Sequence, residues 1–197
     1  MKTLSDTTST SSTSTTTTST STTMTTTTTT STTTTTTTTT ITNPCITGYE
    51  FFPTTGFCYG VKTGGIIFIQ SLGENDCVAD GGHLASIHSD AENNFIYTLA
   101  HTGSILGPAV MPWIGLVQAL QFPLPSQTAG FSWTDGTPVD YTNWWGLLLQ
   151  PLPATGGPLG CTQFVADEYL GLGVGTGQWY QFPCATPLSR YVCKYMP

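Results

Sequence analysis

Six cysteines constrain this chain more than any other feature. Cys45, Cys58, Cys77, Cys161, Cys184 and Cys193 form an even, widely spread set with no C-x-x-C pair. Zinc sites usually draw on closely spaced pairs, so this pattern favours a disulfide framework. Disulfides persist in oxidising compartments, which points to secretion. All six fall in residues 43–197. Residues 1–42 hold 28 threonines, no aromatic residue, and only Lys2 and Asp6 as charges. A segment so poor in apolar groups cannot bury enough surface to offset chain entropy. The foldable part is therefore about 155 residues, enough for one domain with a proper core and too little for two.

Charge excludes whole classes of function. Residues 43–197 carry Lys62, Arg190 and Lys194 against ten acidic residues. A nucleic-acid or anionic-membrane binder needs a basic stripe, and these cations cannot build one. No stretch reaches the roughly 18 uninterrupted apolar residues of a membrane span. The nearest, Pro108 to Leu120, is broken by Pro112 and Gln118. Met1 to Asp6 shows no apolar h-region, so no signal peptide is visible. Set against the cysteines, this leads to the expectation that the chain is an incomplete N-terminus or a piece of a larger secreted protein.

The Thr- and Ser-rich composition of residues 1–42 is that of mucin-like stalks. Glycans on those hydroxyls would hold the segment extended as a disordered but stiff spacer. No N-x-S/T sequon occurs, so N-glycosylation is not expected.

Two helix starts are legible in the domain. Ser71-Leu72-Gly73-Glu74 and Ser89-Asp90-Ala91-Glu92 both fit the capping box. The first predicts a helix through Cys77 to Ala79, stopped by Gly81-Gly82. The second predicts one to about His101, ended by Gly103. Tyr49–Phe52 and Phe57–Val61 read as a hairpin ahead of them. Short β-rich pieces follow at Trp113–Val117, Gly130–Trp133, Cys161–Val165, Gln178–Phe182 and Tyr191–Tyr195. Asp135-Gly136 and Gly171–Gly177 mark turns. The fold class is α+β.

These residues resemble a C-type lectin-like domain. The hairpin with Cys45 and Cys58, the helix bearing Cys77 and the phrase Gly81-Gly82-His83-Leu84-Ala85-Ser86-Ile87 fit it. So do Trp113-Ile114-Gly115-Leu116, Trp133-Thr134-Asp135-Gly136, Tyr141, Asn143-Trp144, and the closing set Cys161, Trp179, Cys184 and Cys193. The resemblance covers residues 45–195. It implies two helices with short antiparallel sheets and a long loop. It also implies the pairs Cys45–Cys58, Cys77–Cys193 and Cys161–Cys184, one choice among the many that six cysteines allow.

The family's sugar binding runs through calcium, held by a Glu/Gln-Pro-Asn/Asp triplet, an acidic residue before the fourth cysteine, and Asn-Asp after the late tryptophan. The counterparts here are Gln150-Pro151-Leu152, then Leu159 and Gly160, then Tyr180 and Gln181. No carboxylate falls between Asp140 and Asp167. Calcium takes six to eight oxygens, normally several of them carboxylates, so the site reads as lost and no cofactor is expected. Any ligand surface then falls to Tyr141, Trp145, Gln150, Tyr180 and Gln181. Adjacent strand residues point oppositely, so Trp145 should face outward or cap the loop if Trp144 faces inward. Trp113, Trp133, Trp144 and Trp179 read as core.

Catalysis has little to rest on. His83, His88 and His101 lack metal-ligand spacing, no G-x-S-x-G occurs, and the cysteines read as paired. Gly171–Gly177 lacks both the spacing and the Lys-Ser/Thr of a phosphate loop. Asp167-Glu168 reads as a solvated acidic pair. The expectation is an extracellular, non-catalytic recognition module. Its partner would be a glycan or glycoprotein bound without calcium. The alternatives are a protein ligand or a structural, mucin-like surface role.

Overall fold

A computed structural model describes residues 43–104 (side chains of 64–68 excepted), 111–118, 128, 130–146, 160–168 and 175–197. Among them, strands β1 (Glu50–Phe52) and β2 (Phe57–Phe68) form the expected hairpin. Helix α1 (Gln70–Ala79), the two-residue strand β3 (His83–Leu84) and helix α2 (Asp90–Ala100) follow. Strands β4 (Trp113–Gln118), β5 (Phe131–Trp133), β6 (Gly160–Phe164), β7 (Trp179–Pro183) and β8 (Leu188–Tyr195) complete the set.

The strands join in the order β1-β2-β8-β4-β6-β7, with β3 on β8 and β5 on β4. Pairings are antiparallel except where β4 meets β8 at Trp113 and Tyr191. The hairpin and the C-terminal strand thus form one half of the sheet, and β4, β6 and β7 the other. Cys45–Cys58, Cys77–Cys193 and Cys161–Cys184 are bonded. The second ties α1 to β8 across 116 positions, and closing a loop of that length stabilises by about 4–5 kcal/mol in the chain-entropy model.

Helix α2 starts as read: the Glu92 amide donates to Ser89 Oγ at 3.2 Å, and the Glu92 carboxylate reaches back to the His88 amide at 2.8 Å. Helix α1 does not. It begins one residue before Ser71, with Ile69 at the N-cap and no side-chain cap. Glu74 is drawn away from the helix start: it faces His83 Nδ1 at 2.5 Å and accepts from the Leu84 amide at 2.9 Å. Tertiary partners outcompete the local box there.

The main core gathers Ile87, Ile96, Ile114, Leu116, Phe164, Trp144 and Trp179, all buried. Trp113, Trp133, Trp144 and Trp179 are at most 7% exposed, which places all four in the interior as expected.

One charge expectation needs correcting. Asp167 is not solvated but 3% exposed, because the chain leaving α2 presents donors to it. The Thr102 amide, Thr102 Oγ1 and the Gly103 amide bond it at 2.7, 3.0 and 2.9 Å. Glu92 is buried as well, bonded by Lys194 Nζ at 2.6 Å and by the Tyr59 hydroxyl at 2.5 Å. The acidity is therefore not all surface charge.

Candidate functional site

The candidate surface is built on β7 and the segment beside it. The Trp179 amide donates to Asn143 O at 2.7 Å and the Trp145 amide to Trp179 O at 2.9 Å, so residues 143–145 run parallel to β7. Asn93 of α2 secures this edge. Its Nδ2 donates to Gly177 O at 2.8 Å, and its Oδ1 accepts from Trp179 Nε1 at 2.9 Å.

Alternation along this extended segment sends Trp144 and Trp145 to opposite sides. Trp144 joins the main core beside Phe131 and Trp179. Trp145 does not face solvent. It is 3% exposed, in a second small cluster with Met111 and Val165, and Tyr180 packs against it. Of the two placements expected for it, outward or capping the loop, the outward one fails because the far side of the strand is also covered. Gly175 contributes to that cover, since a Cβ there would stand 2.8 Å from the indole, and its φ of +84° suits glycine alone.

Tyr180 is half-buried, with its ring centroid 5.9 Å from Trp145 and 5.6 Å from Phe182. Gln181 is 9% exposed, and its Nε2 donates to Gln118 Oε1 at 2.6 Å. Tyr141 rests edge-on against Trp179 and donates its hydroxyl to Asp90 at 2.8 Å. Burial, then the Asp90 hydrogen bond, pushes the Tyr141 phenol well above its ordinary range. The structure thus brings Trp145 and Tyr180 together, links Gln181 to Gln118, and fixes Tyr141 to α2. Gln150 lies outside the described residues.

Several residues here escape sequence reasoning. Gln118 reads only as a break in an apolar run, yet it is fully buried and holds Gln181. Met111 and Val165 carry no pattern that would place them on Trp145. Asn93 sits within a helix whose apolar face alone is legible.

At the described positions where this fold holds calcium, the donors do not fit the ion. Tyr180 offers an aromatic ring packed on two others, and the Gln181 amide is engaged with Gln118. Among the described residues no group of three or more His, Cys, Asp or Glu gathers.

Comparison with known proteins decides the family. The profile of the Lectin C-type domain matches residues 71–195. This chain belongs to the C-type lectin domain family. Echinoidin of Heliocidaris crassispina is 32% identical to this lectin domain over 126 residues, covering 64% of the chain and 73% of echinoidin. The type-2 ice-structuring protein of Hemitripterus americanus is 39% identical over 74 residues, covering 38% of the chain and only 37% of that relative. Among solved structures, a calcium-independent type II antifreeze protein superposes with a TM-score of 0.52 at 26% identity. That match covers 77% of this chain and 94% of the other.

Proposed function

We propose that this lectin domain is a secreted, non-catalytic recognition module that binds carbohydrate without calcium. In this reading, residues 1–42 serve as its Thr-rich, O-glycosylated stalk. The observation that carries it is the burial of Gln181, 9% exposed with its Nε2 turned inward onto Gln118 Oε1, at a position where the family's motif carries a calcium ligand. Tyr180 beside it supplies a ring in place of a carbonyl or carboxylate oxygen. Recognition then falls to aromatic and amide groups: Tyr180 and Tyr141 as stacking faces, Gln150 as a polar contact, and Trp145 with Gln181 as the packed support beneath Tyr180. The solved calcium-independent antifreeze relative supports a fold of this type standing without the ion. Disulfide bonding of all six cysteines and the absence of a membrane-crossing helix among the described residues accord with an extracellular setting.

The test is a glycan array probed with the full chain, with and without EDTA. Binding that persists in EDTA is expected. Loss of binding in EDTA overturns the calcium-free mechanism. A blank array under both conditions overturns the carbohydrate reading and points to a protein ligand, which the enclosed Trp145 ring leaves open.

A further inference from the structure

A cavity of about 380 Å³ opens beside the start of α1, and its volume is that of a small-molecule site. Ile69, Val117 and the Cys161–Cys184 disulfide give it an apolar wall, and Gln70 and Ser71 supply polar groups. The register builds the wall: Val117 of β4 pairs with Cys161 of β6, and both pack in the cluster that holds Cys77 of α1. All the lining residues lie among the described ones, and none is a proposed glycan contact.

Among the described residues, two donors beside this cavity stand unmet. Gln70 is 5% exposed, and its Nε2 is buried without a hydrogen-bond partner. A buried donor left unpaired is costly, and folded chains keep few of them. The terminal torsion of glutamine is soft, so a small turn presents Nε2 to the cavity. The second donor belongs to the backbone. Helix α1 has no side-chain cap and no acidic residue in its first turn. The Gln70 amide reaches Cys184 O at 3.4 Å, and the Leu72 and Gly73 amides turn back to Ile69 O at 3.0 and 3.3 Å. That leaves the Ser71 amide for an outside acceptor, with the exposed Ser71 side chain beside it at the positive end of the helix dipole.

We infer that this cavity binds a small carboxylate with an apolar body, of the aryl-alkanoate class. Its oxygens accept from Gln70 Nε2, the Ser71 amide and Ser71 Oγ, where a helix start favours an anion. Its body lies against Ile69, Val117 and the disulfide, so an anion without an apolar part gains nothing from the wall. The site is separate from the carbohydrate reading and does not rest on it.

An NMR titration of the full chain with 3-phenylpropionate tests the inference. The Ser71 backbone amide and the Gln70 side-chain amide should shift together and saturate. The uncharged 3-phenylpropionamide should bind about two- to fivefold more weakly, the scale of one charge at a helix N-terminus. Acetate should leave both resonances in place at the same concentrations. Gln70→Leu removes an unpaired buried donor, so it should melt no lower than the parent while losing about tenfold in affinity. Ala185→Trp, at an exposed position lining the cavity, should block it with the fold intact. No saturable shift at the two resonances, equal affinity for the amide, or unchanged affinity in either variant overturns the inference.

Discussion

Trp145 shows how far a single position can be read. Strand alternation correctly separates it from Trp144, but the sequence offers no sign that Met111 and Val165 come from elsewhere to enclose it. Truncating a buried tryptophan costs about 3–5 kcal/mol, so Trp145→Ala should lower the melting temperature by several degrees or more. Tyr180 is only half-buried, on the same stack. Tyr180→Ala should abolish glycan retention while costing about 1–2 kcal/mol of stability, the ordinary range for a partly buried side chain. Thermal melting and glycan binding measured on both variants separate support from contact. Loss of binding with unchanged melting in Trp145→Ala would place that ring at the ligand instead. The buried Lys194–Glu92 pair was equally hidden, since a lysine near a C-terminus ordinarily reads as solvated.

At the scale of elements, the two serine-led motifs look alike in sequence and differ in the fold. Ser89 caps α2 and Ser71 caps nothing, because Glu74 is claimed by His83 and Leu84. Chemical denaturation should therefore distinguish them. Ser89→Ala should cost about 1 kcal/mol, whereas Ser71→Ala, exposed and within α1, should be neutral or slightly stabilising. Equal losses at both would contradict this account of α1. Element positions were otherwise legible wherever periodicity, glycine and cysteine agreed, as in the hairpin, in α2 and in β8. Strand β3 was not read as a strand, because a two-residue strand has no period of its own. The residue types at the family's calcium-ligand positions, Tyr180 and Gln181, were likewise legible, whereas the Gln118 partner requires the folded sheet.

At the scale of the whole molecule, net negative charge is organised rather than spread. Among the described residues, four tyrosines donate their hydroxyls to carboxylates: Tyr49 to Asp80, Tyr59 to Glu92, Tyr141 to Asp90 and Tyr191 to Asp76. Burial first, and then the carboxylate, raises all four phenols far above their ordinary range. A group raised in the fold contributes stability that is full below its unfolded value and is lost as pH climbs toward the folded one. Alkaline destabilisation should thus begin near pH ~10. Asp76 and Asp80 lie below their usual range, chiefly through the Lys62 hydrogen bond and next through Tyr191 and Tyr49. Their contribution holds above pH ~4 and fades as pH falls through their lowered values. Denaturation across pH, paired with tyrosinate absorbance, should show these four rings ionising only as the domain unfolds. Ionisation of all eight near pH ~10 in the folded protein would contradict that picture.

The central claim is that this C-type lectin domain recognises its ligand without calcium. Thermal melting of the full chain in millimolar calcium and in EDTA tests it most directly, because an ion bound only by the folded state raises the melting temperature. Coincident melting curves, with glycan retention equal in the two buffers, are the predicted result. A calcium-dependent rise of several degrees, or retention lost in EDTA, would contradict it.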